Sequence, residues 1–279
     1  PVACPCPFVV TVYDLSFLRF PKAFRAWNRL YLTLFTRHSV RRARRVLAIS
    51  ERTKQDLVRW LGVPEEKVDV APCGVGEAFH PLPQEEVEAF RAARGLPEQF
   101  FLFVGTLEPR KNLVAAFQAL RLLRERGQSP VLAVVGGRGW GYEETLRTLD
   151  EWDLARHVLL TGFVPTDELV LWYNAATALV YPSLYEGFGL PALEAMACGL
   201  PGVASDRGAL PEVVGQAGLL VDPTAPEALA EAMARVWEDA DLRAALRERG
   251  LARARQMTWE ETARQTVRAY QKAVHGRRD

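Results

Sequence analysis

Methionine, histidine and cysteine are scarce in this 279-residue chain, at three, four and four residues. The cysteines, Cys4, Cys6, Cys73 and Cys198, lack the paired spacing of a zinc site. Their density is far below that of a disulfide scaffold, so reduced thiols are expected. Apolar runs of roughly 20 residues, the length that spans a bilayer, are absent. Charge of one sign is missing too. Thirty-five basic residues against 34 acidic give a net charge of +1, which leaves no global field to gather nucleic acid. Lysine supplies only five of the basic residues. A content of 49% hydrophobic and 10% aromatic residues is that of a globular protein and excludes disorder, collagen and coiled coil.

What is present is an alternation of short apolar runs and helical periods. Strands are expected at 8–12, 46–49, 68–71, 101–104, 131–135, 158–161, 178–181, 202–204 and 218–221. Helices are expected at 24–45, 51–61, 84–94, 112–126, 143–149, 167–174, 191–197, 226–237, 241–255 and 259–274. Ser50 is a good N-cap and Gly62 a good stop for the 51–61 helix. His80-Pro81-Leu82-Pro83 marks a seam between two such series. The pattern implies two Rossmann-like parallel sheets. Ligands of such sheets sit at the carboxyl ends of the strands, so the loops after strands hold the chemistry.

In the 24–45 helix, Trp27, Leu30, Tyr31, Leu34 and Phe35 form one apolar stripe. Arg37, Arg41, Arg44 and Arg45 fall beside it. A solvated basic face over a core stripe is favoured there over a membrane-surface patch.

Three loops stand out. Gly105-Thr106-Leu107-Glu108-Pro109-Arg110-Lys111-Asn112 follows a strand, and its two cations are expected at the start of a helix. Cations there oppose the macrodipole unless an anion joins them, and backbone donors with Arg and Lys suit a phosphate. Ordinary surface cations are the plainer alternative. Gly136-Gly137-Arg138-Gly139-Trp140-Gly141 resembles a phosphate cradle without the G-x-G-x-x-G spacing, and a surface turn fits equally well.

The third loop, 181–199, reads YPSLYEGFGLPALEAMACG. Pro191 suits a first helical turn, with Glu194 expected in that turn and Glu186 in the loop before it. Gly187 and Gly189 are expected to let a ligand approach the backbone. Free amides there suit phosphate, and a carboxylate accepts from both hydroxyls of a vicinal diol. The alternative has Glu194 complementing the helix dipole and Glu186 solvated. Residues 187–192 with Asp206 also match a dinucleotide pattern. The five residues between the strand end and Gly187 argue against the tight turn which that pattern requires. Asp239-Ala240-Asp241 is the only Asp-x-Asp. It lies between helices, where capping is expected rather than a metal site.

Together these residues resemble a known family. Glu186 to Glu194 is the E-x(7)-E motif of retaining GT-B glycosyltransferases, in the YPSxxEGFGLPxLEAMACGxP context of glycosyltransferase family 4. Residues 105–112 look like that family's phosphate loop, Leu160 to Val164 like its base-proximal strand and turn, and Gly208 to Val213 like its G-x-x-P-E segment. Val10 to Phe17 is similar to an acceptor-domain stretch of mannosyl- and rhamnosyltransferase-like members.

The resemblance implies an α/β GT-B fold with a shortened acceptor-side domain at 1–80 and a linker with a helix at 81–98. It further implies a donor domain at 99–256 and a C-terminal helix, in 257–279, crossing back to the first domain. It implies retaining transfer of a hexose from a nucleotide diphosphate sugar to a sugar or lipid-linked acceptor, without cofactor, metal or nucleic acid. Lys111, helped by Arg110 and by Gly105, Thr106, Gly136 and Gly137, would hold the diphosphate. Phe163 and Val164 would lie near the base, and Glu194 would hold the ribose diol. Glu186 would contact donor-sugar hydroxyls, with Gly187 and the amides of Phe188, Gly189 and Leu190 nearby, and Asp14 and Tyr13 would face the sugar. The leaving diphosphate would serve as base, and Glu186 as nucleophile only if it reached the anomeric carbon.

Three departures are visible. Thr106 stands where many relatives have Arg, and Tyr13-Asp14 stands where many have His-Asp. The family's acceptor domain begins with strand–helix units upstream of Pro1. The sequence is therefore expected to be part of a longer protein, with self-association or poor order in the first domain. Nucleotide-sugar binding without turnover, and an epimerase or phosphorylase on the same fold, stay open. Location is expected to be cytoplasmic, with the inner membrane face and peripheral membrane contact left open.

Overall fold

The computed structural model describes residues 4–21 and 24–275. The chain divides into two compact units. The first comprises Pro1–Gly74, Tyr185–Phe188 and Met257–Asp279, and the second Val75–Leu184 and Gly189–Gln256.

The first unit opens with β1 (Val9–Val12), a short helix α1 (Ser16–Arg19) and the long helix α2 (Ala26–Arg42). It continues through β2 (Arg45–Ala48), α3 (Glu51–Leu61) and β3 (Val68–Val70). The strands form a parallel sheet in the order β1-β2-β3, with Val10 beside Val46 and Val46 beside Val68. Helix α3 begins and ends as its sequence dictates. Ser50 accepts from the Thr53 amide, and Gly62 closes the helix at φ 64°, a conformation that costs glycine little. Val12, Leu15, Phe17, Val40, Val46 and Leu57 build the core on one side of this sheet.

The stripe on α2 is not core, which corrects the expectation. Trp27 is 75% exposed, Leu34 57% and Tyr31 53%, with Leu30 and Phe35 also exposed. Val40, buried, and the half-buried Leu32 take the core contacts instead. Periodicity places residues on one face of a helix; it does not say which face the sheet covers.

The second unit begins with α4 (Gln84–Arg94), β4 (Phe101–Val104), α5 (Leu113–Glu125), β5 (Leu132–Val135) and α6 (Tyr142–Glu151). Next come β6 (Val158–Gly162), α7 (Thr166–Ala175), β7 (Ala178–Tyr181), α8 (Leu190–Ala197) and β8 (Gly202–Ser205). Helix α9 (Leu210–Val214), β9 (Gly218–Val221), α10 (Pro226–Glu238) and α11 (Ala240–Ala254) complete it. The six strands are parallel, in the order β6-β5-β4-β7-β8-β9. Alternation in β4 assigns its residues to two layers. Phe101 and Phe103 pack with Phe117 of α5 and Met233 of α10, whereas Leu102 and Val104 pack with Trp172 of α7 and Ala195 of α8. A strand buried on both faces is what a sheet covered by helices requires.

Helix α12 (Trp259–His275) belongs to the first unit, where Ala269 packs with Leu47 and Ala71. Asp239 caps α11 by accepting from the Leu242 amide at 2.8 Å, as expected. Helices α1 and α9 and the 3-10 turns Glu65–Lys67 and Pro109–Lys111 are additions to the expected elements. All are five residues or fewer, too short for a periodic signal.

Candidate nucleotide-sugar site

In the second unit the strand order reverses between β4 and β7. That switch point is where an open parallel sheet leaves a crevice at its carboxyl ends. The loop after β4 and the end of β7 therefore meet. Lys111 is buried, and its Nζ donates to Tyr181 Oη at 2.8 Å. Its alkyl chain runs past Gly105, where a Cβ would stand 3.5 Å from Cε. Asn112, left-handed at φ 56°, donates from Nδ2 to the carbonyls of Pro182 at 3.1 Å and Pro223 at 2.8 Å. It thereby ties three loops at the carboxyl ends of β4, β7 and β9. Ser183 Oγ is buried with no hydrogen-bond partner in the structure, a state that costs about 1–3 kcal/mol.

The two cations sit in the Pro109–Lys111 turn that runs directly into α5, whose N-cap is Asn112 and whose first residue is Leu113, one residue later than expected. Arg110 also has a carboxylate beside it, Glu108, at 2.6 Å. The 136–141 turn packs tightly on the β4 loop. A Cβ at Gly136 would overlap the Gly105 carbonyl. The Gly136 amide donates to Gly162 at 2.9 Å, the Leu107 amide to Gly137 at 2.9 Å, and the Gly139 amide to Leu107 at 3.0 Å. Glycine is needed there for backbone-to-backbone packing, and these amides serve that packing. Thr106 lies in the same pair of loops, its methyl close to Gly139. Beyond β6, Phe163 is 83% exposed while Val164 is buried in the core.

Glu194 is not in the first turn of α8, which starts at Leu190. It does not complement the dipole; its Oε2 accepts from Tyr173 Oη at 2.8 Å. Burial pushes the carboxyl of Glu194 upward, and the Tyr173 hydrogen bond pulls it back down. Burial and the Glu194 charge together hold the Tyr173 phenol well above its ordinary value. It is therefore a donor at every working pH. Gly189 precedes α8 at φ 111°, its α-carbon against the Leu210 side chain, and Leu190 is partly exposed.

Glu186 belongs to the first unit, with Tyr185, Gly187 and Phe188. Within that unit the segment is firmly anchored. Tyr185 Oη donates to Asp56 Oδ2 at 2.8 Å, and Ser50 Oγ donates to the Gly187 carbonyl at 2.6 Å. A Cβ at Gly187 would overlap the Tyr13 carbonyl and crowd Asp14. Gly187 thus accommodates protein backbone, and the structure brings Tyr13, Asp14 and Gly187 together. Glu186 and Phe188 are buried, and Tyr13 is 68% exposed. Asp14 Oδ1 accepts from the amide and hydroxyl of Ser16, at 2.9 and 2.7 Å. Sequence reasoning missed Tyr173, Tyr181, Ser50 and Asp56 as partners of this machinery. Each lies on an element remote in sequence from the residue it holds, and no spacing signal marks it.

Comparison with known proteins agrees with this architecture. Residues 85–253 match the model for glycosyl transferases group 1, and residues 2–79 match that for glycosyltransferase family 4. The chain is 33% identical over 264 residues to the O-antigen chain mannosyltransferase B of Escherichia coli, covering 94% of this chain and 69% of that protein. It is 34% identical over 249 residues to a D-inositol 3-phosphate glycosyltransferase of Streptomyces bingchenggensis, covering 85% of this chain and 54% of that one. The sucrose-phosphate synthase of Thermosynechococcus elongatus superposes with a TM-score of 0.81 at 28% identity, over 96% of this chain and 68% of that one. Anabaena Alr3699/HepE, in complex with UDP and glucose, superposes with a TM-score of 0.80 at 21% identity, over 96% and 72%. The fold is GT-B, the two-sheet architecture of one large class of sugar-transferring enzymes. Within that class the chain belongs to the glycosyl transferases group 1.

Proposed function

We propose that this chain transfers a hexose from a nucleotide diphosphate sugar to an acceptor hydroxyl, with retention of anomeric configuration and without a metal. The observation that carries the reading is the buried Lys111 at the switch point, with the carboxylate of Glu194 on α8, the helix that follows the adjacent strand β7 in the same unit. A buried cation at the switch point suits a diphosphate, and an anchored carboxylate suits a ribose diol. Arg110, Gly105, Thr106, Gly136 and Gly137 frame the phosphate end, and Phe163, with Val164 beneath it, the base end. The donor-sugar roles expected of Glu186, Gly187, Phe188, Asp14 and Tyr13 fall to the first unit, and those of Gly189 and Leu190 to the second. Catalysis on this reading is positioning and charge stabilisation, the leaving diphosphate taking the acceptor proton. The test is incubation with UDP-, GDP- and ADP-sugars and mannose-terminated acceptors, with the product anomer read by NMR. Transfer with retention supports the proposal, and inversion overturns it.

The proposed acceptor is a sugar or lipid-linked acceptor met at the inner face of the membrane. From Leu15 to Ser50 the sequence carries nine Arg and Lys residues and no Asp or Glu, beside the exposed aromatic face of α2. Exposed Trp and Tyr with cations suit the interface of an anionic bilayer. No described helix is long and apolar enough to cross a membrane. Cosedimentation with phosphatidylglycerol vesicles tests this. Binding that falls with salt and with Trp27→Ser supports it, and equal recovery with neutral vesicles counts against it. The edge of β1, paired on one side only among the described strands, is the proposed route of self-association. Sedimentation reads it.

A further inference from the structure

The hydroxyl of Tyr173 has no packing purpose. Its ring meets Phe79 edge-on at 5.9 Å, and the residue is fully buried in α7. A phenylalanine would fill the same volume. Burying a hydroxyl is unfavourable unless it is hydrogen-bonded, and the bond this one makes is to Glu194 Oε2. The neighbour Trp172 locks the helix by edge-on contacts with Phe90 at 5.2 Å and Phe100 at 6.0 Å. On the other side, Leu193 and Ala195 hold α8 in place as buried residues flanking Glu194. Two fixed helices therefore present one donor to one carboxylate.

The terminal torsion of a glutamate is broad, so the plane of its carboxylate is not set by the helix. A donor on Oε2 sets it. A carboxylate offers about four acceptor positions. With one taken by Tyr173, Oε1 and the second position of Oε2 remain for other donors.

We infer that Tyr173 is a positioning residue, whose hydroxyl orients the Glu194 carboxylate so that it accepts from the ribose hydroxyls of the nucleotide. This rests on the reading of Glu194 as the ribose acceptor, and it goes beyond that reading by assigning the preference for ribose over deoxyribose partly to a residue that touches no ligand. The same bond also keeps Glu194 charged. Burial favours the protonated carboxyl, and the Tyr173 hydrogen bond opposes it. A protonated carboxyl donates from one oxygen and cannot accept from two hydroxyls at once. The titratable groups around the pair are Tyr181 of β7, Cys198 at the C-cap of α8, whose thiol burial pushes up to about 12, and Arg247 of α11. Within this cluster Glu194 is the carboxyl, raised by burial and lowered by the Tyr173 hydrogen bond.

The test compares wild type, Tyr173→Phe, Glu194→Gln and Phe79→Leu. Each is titrated calorimetrically with UDP, GDP and ADP and their 2′-deoxy counterparts between pH 5 and 8. Wild type prefers the ribonucleotide. Y173F loses about three- to tenfold of that preference, the effect of one hydrogen bond, with deoxynucleotide affinity nearly unchanged. Without the Tyr173 bond Glu194 protonates at higher pH, so the pH below which ribonucleotide binding fails moves upward. F79L, which disturbs only ring packing, lowers the melting temperature and keeps the preference and the pH profile. The inference alone is overturned if E194Q loses the preference while Y173F retains both preference and profile, or if Y173F weakens both nucleotides equally. A wild type or an E194Q that shows the same ribose preference as the other overturns the Glu194 reading, and this inference with it.

Discussion

Lys111 Nζ donates to Tyr181 Oη across 2.8 Å, which latches the loop after β4 to the end of β7. The loop's buried ammonium is thereby aimed at the one place in the sheet where strand order reverses. Removing it separates binding from folding. Lys111→Ala is expected to weaken nucleoside diphosphate binding by about 1.5–3 kcal/mol, the range for a bond to a charged group. Tyr181→Phe, which keeps the charge and loses the latch, costs about 1 kcal/mol. Calorimetry on both variants checks the order.

Glu194 carries a pH-dependent prediction. Its carboxyl is raised above the usual 4.5 by burial. A raised carboxyl means that the folded state holds its proton more tightly than the unfolded chain. That stabilisation is complete below the unfolded value and is lost as pH rises through the folded one. Glu194→Gln removes the cost of ionisation, so the ligand-free variant melts above wild type at pH 7. The gap closes as pH falls towards 4.5. Nucleotide binding by the same variant weakens, while free hexose binding is spared. Scanning calorimetry across pH reads the first effect and titration the second.

Much of this was legible in the sequence. The helix at 51–61, capped by Ser50 and Gly62, and strands such as 101–104 and 178–181 carry strong local signals, and the structure places them at those residues. Partnership across the fold was not legible. The α2 stripe has the right period for a buried face, yet Leu32 and Val40, on another line of the helix, meet the sheet. Tyr173 reads as one more apolar residue of α7, and only the packing of α8 against it reveals the acceptor for its hydroxyl. Gly187 read as room for a ligand. The space is filled by the Tyr13 carbonyl, which local sequence does not encode.

The anchor of the Glu186 segment yields a stability prediction. Asp56 accepts from Tyr185 at 2.8 Å and pairs with Arg52 at 3.1 Å. Asp56→Ala removes the acceptor of the buried Tyr185 hydroxyl and the partner of Arg52, and is expected to destabilise the first unit by about 1–3 kcal/mol. Urea unfolding measures the loss. Hydrogen exchange should rise at 185–188 in the same variant.

Chelation supplies a further check. Asp239, of the only Asp-x-Asp, caps α11. EDTA is expected to leave nucleotide binding and turnover unchanged, and activity lost to EDTA and restored by manganese would contradict this.

The most direct measurement is a calorimetric titration of the wild-type chain, Lys111→Ala and Glu194→Gln with UDP, GDP and ADP. At least one nucleotide should bind wild type with one-to-one stoichiometry, and both variants should bind it more weakly while melting as cooperatively as wild type. No binding of any nucleotide at millimolar concentration, or wild-type affinity in both variants, would contradict the placement of the donor site at the carboxyl ends of β4 and β7.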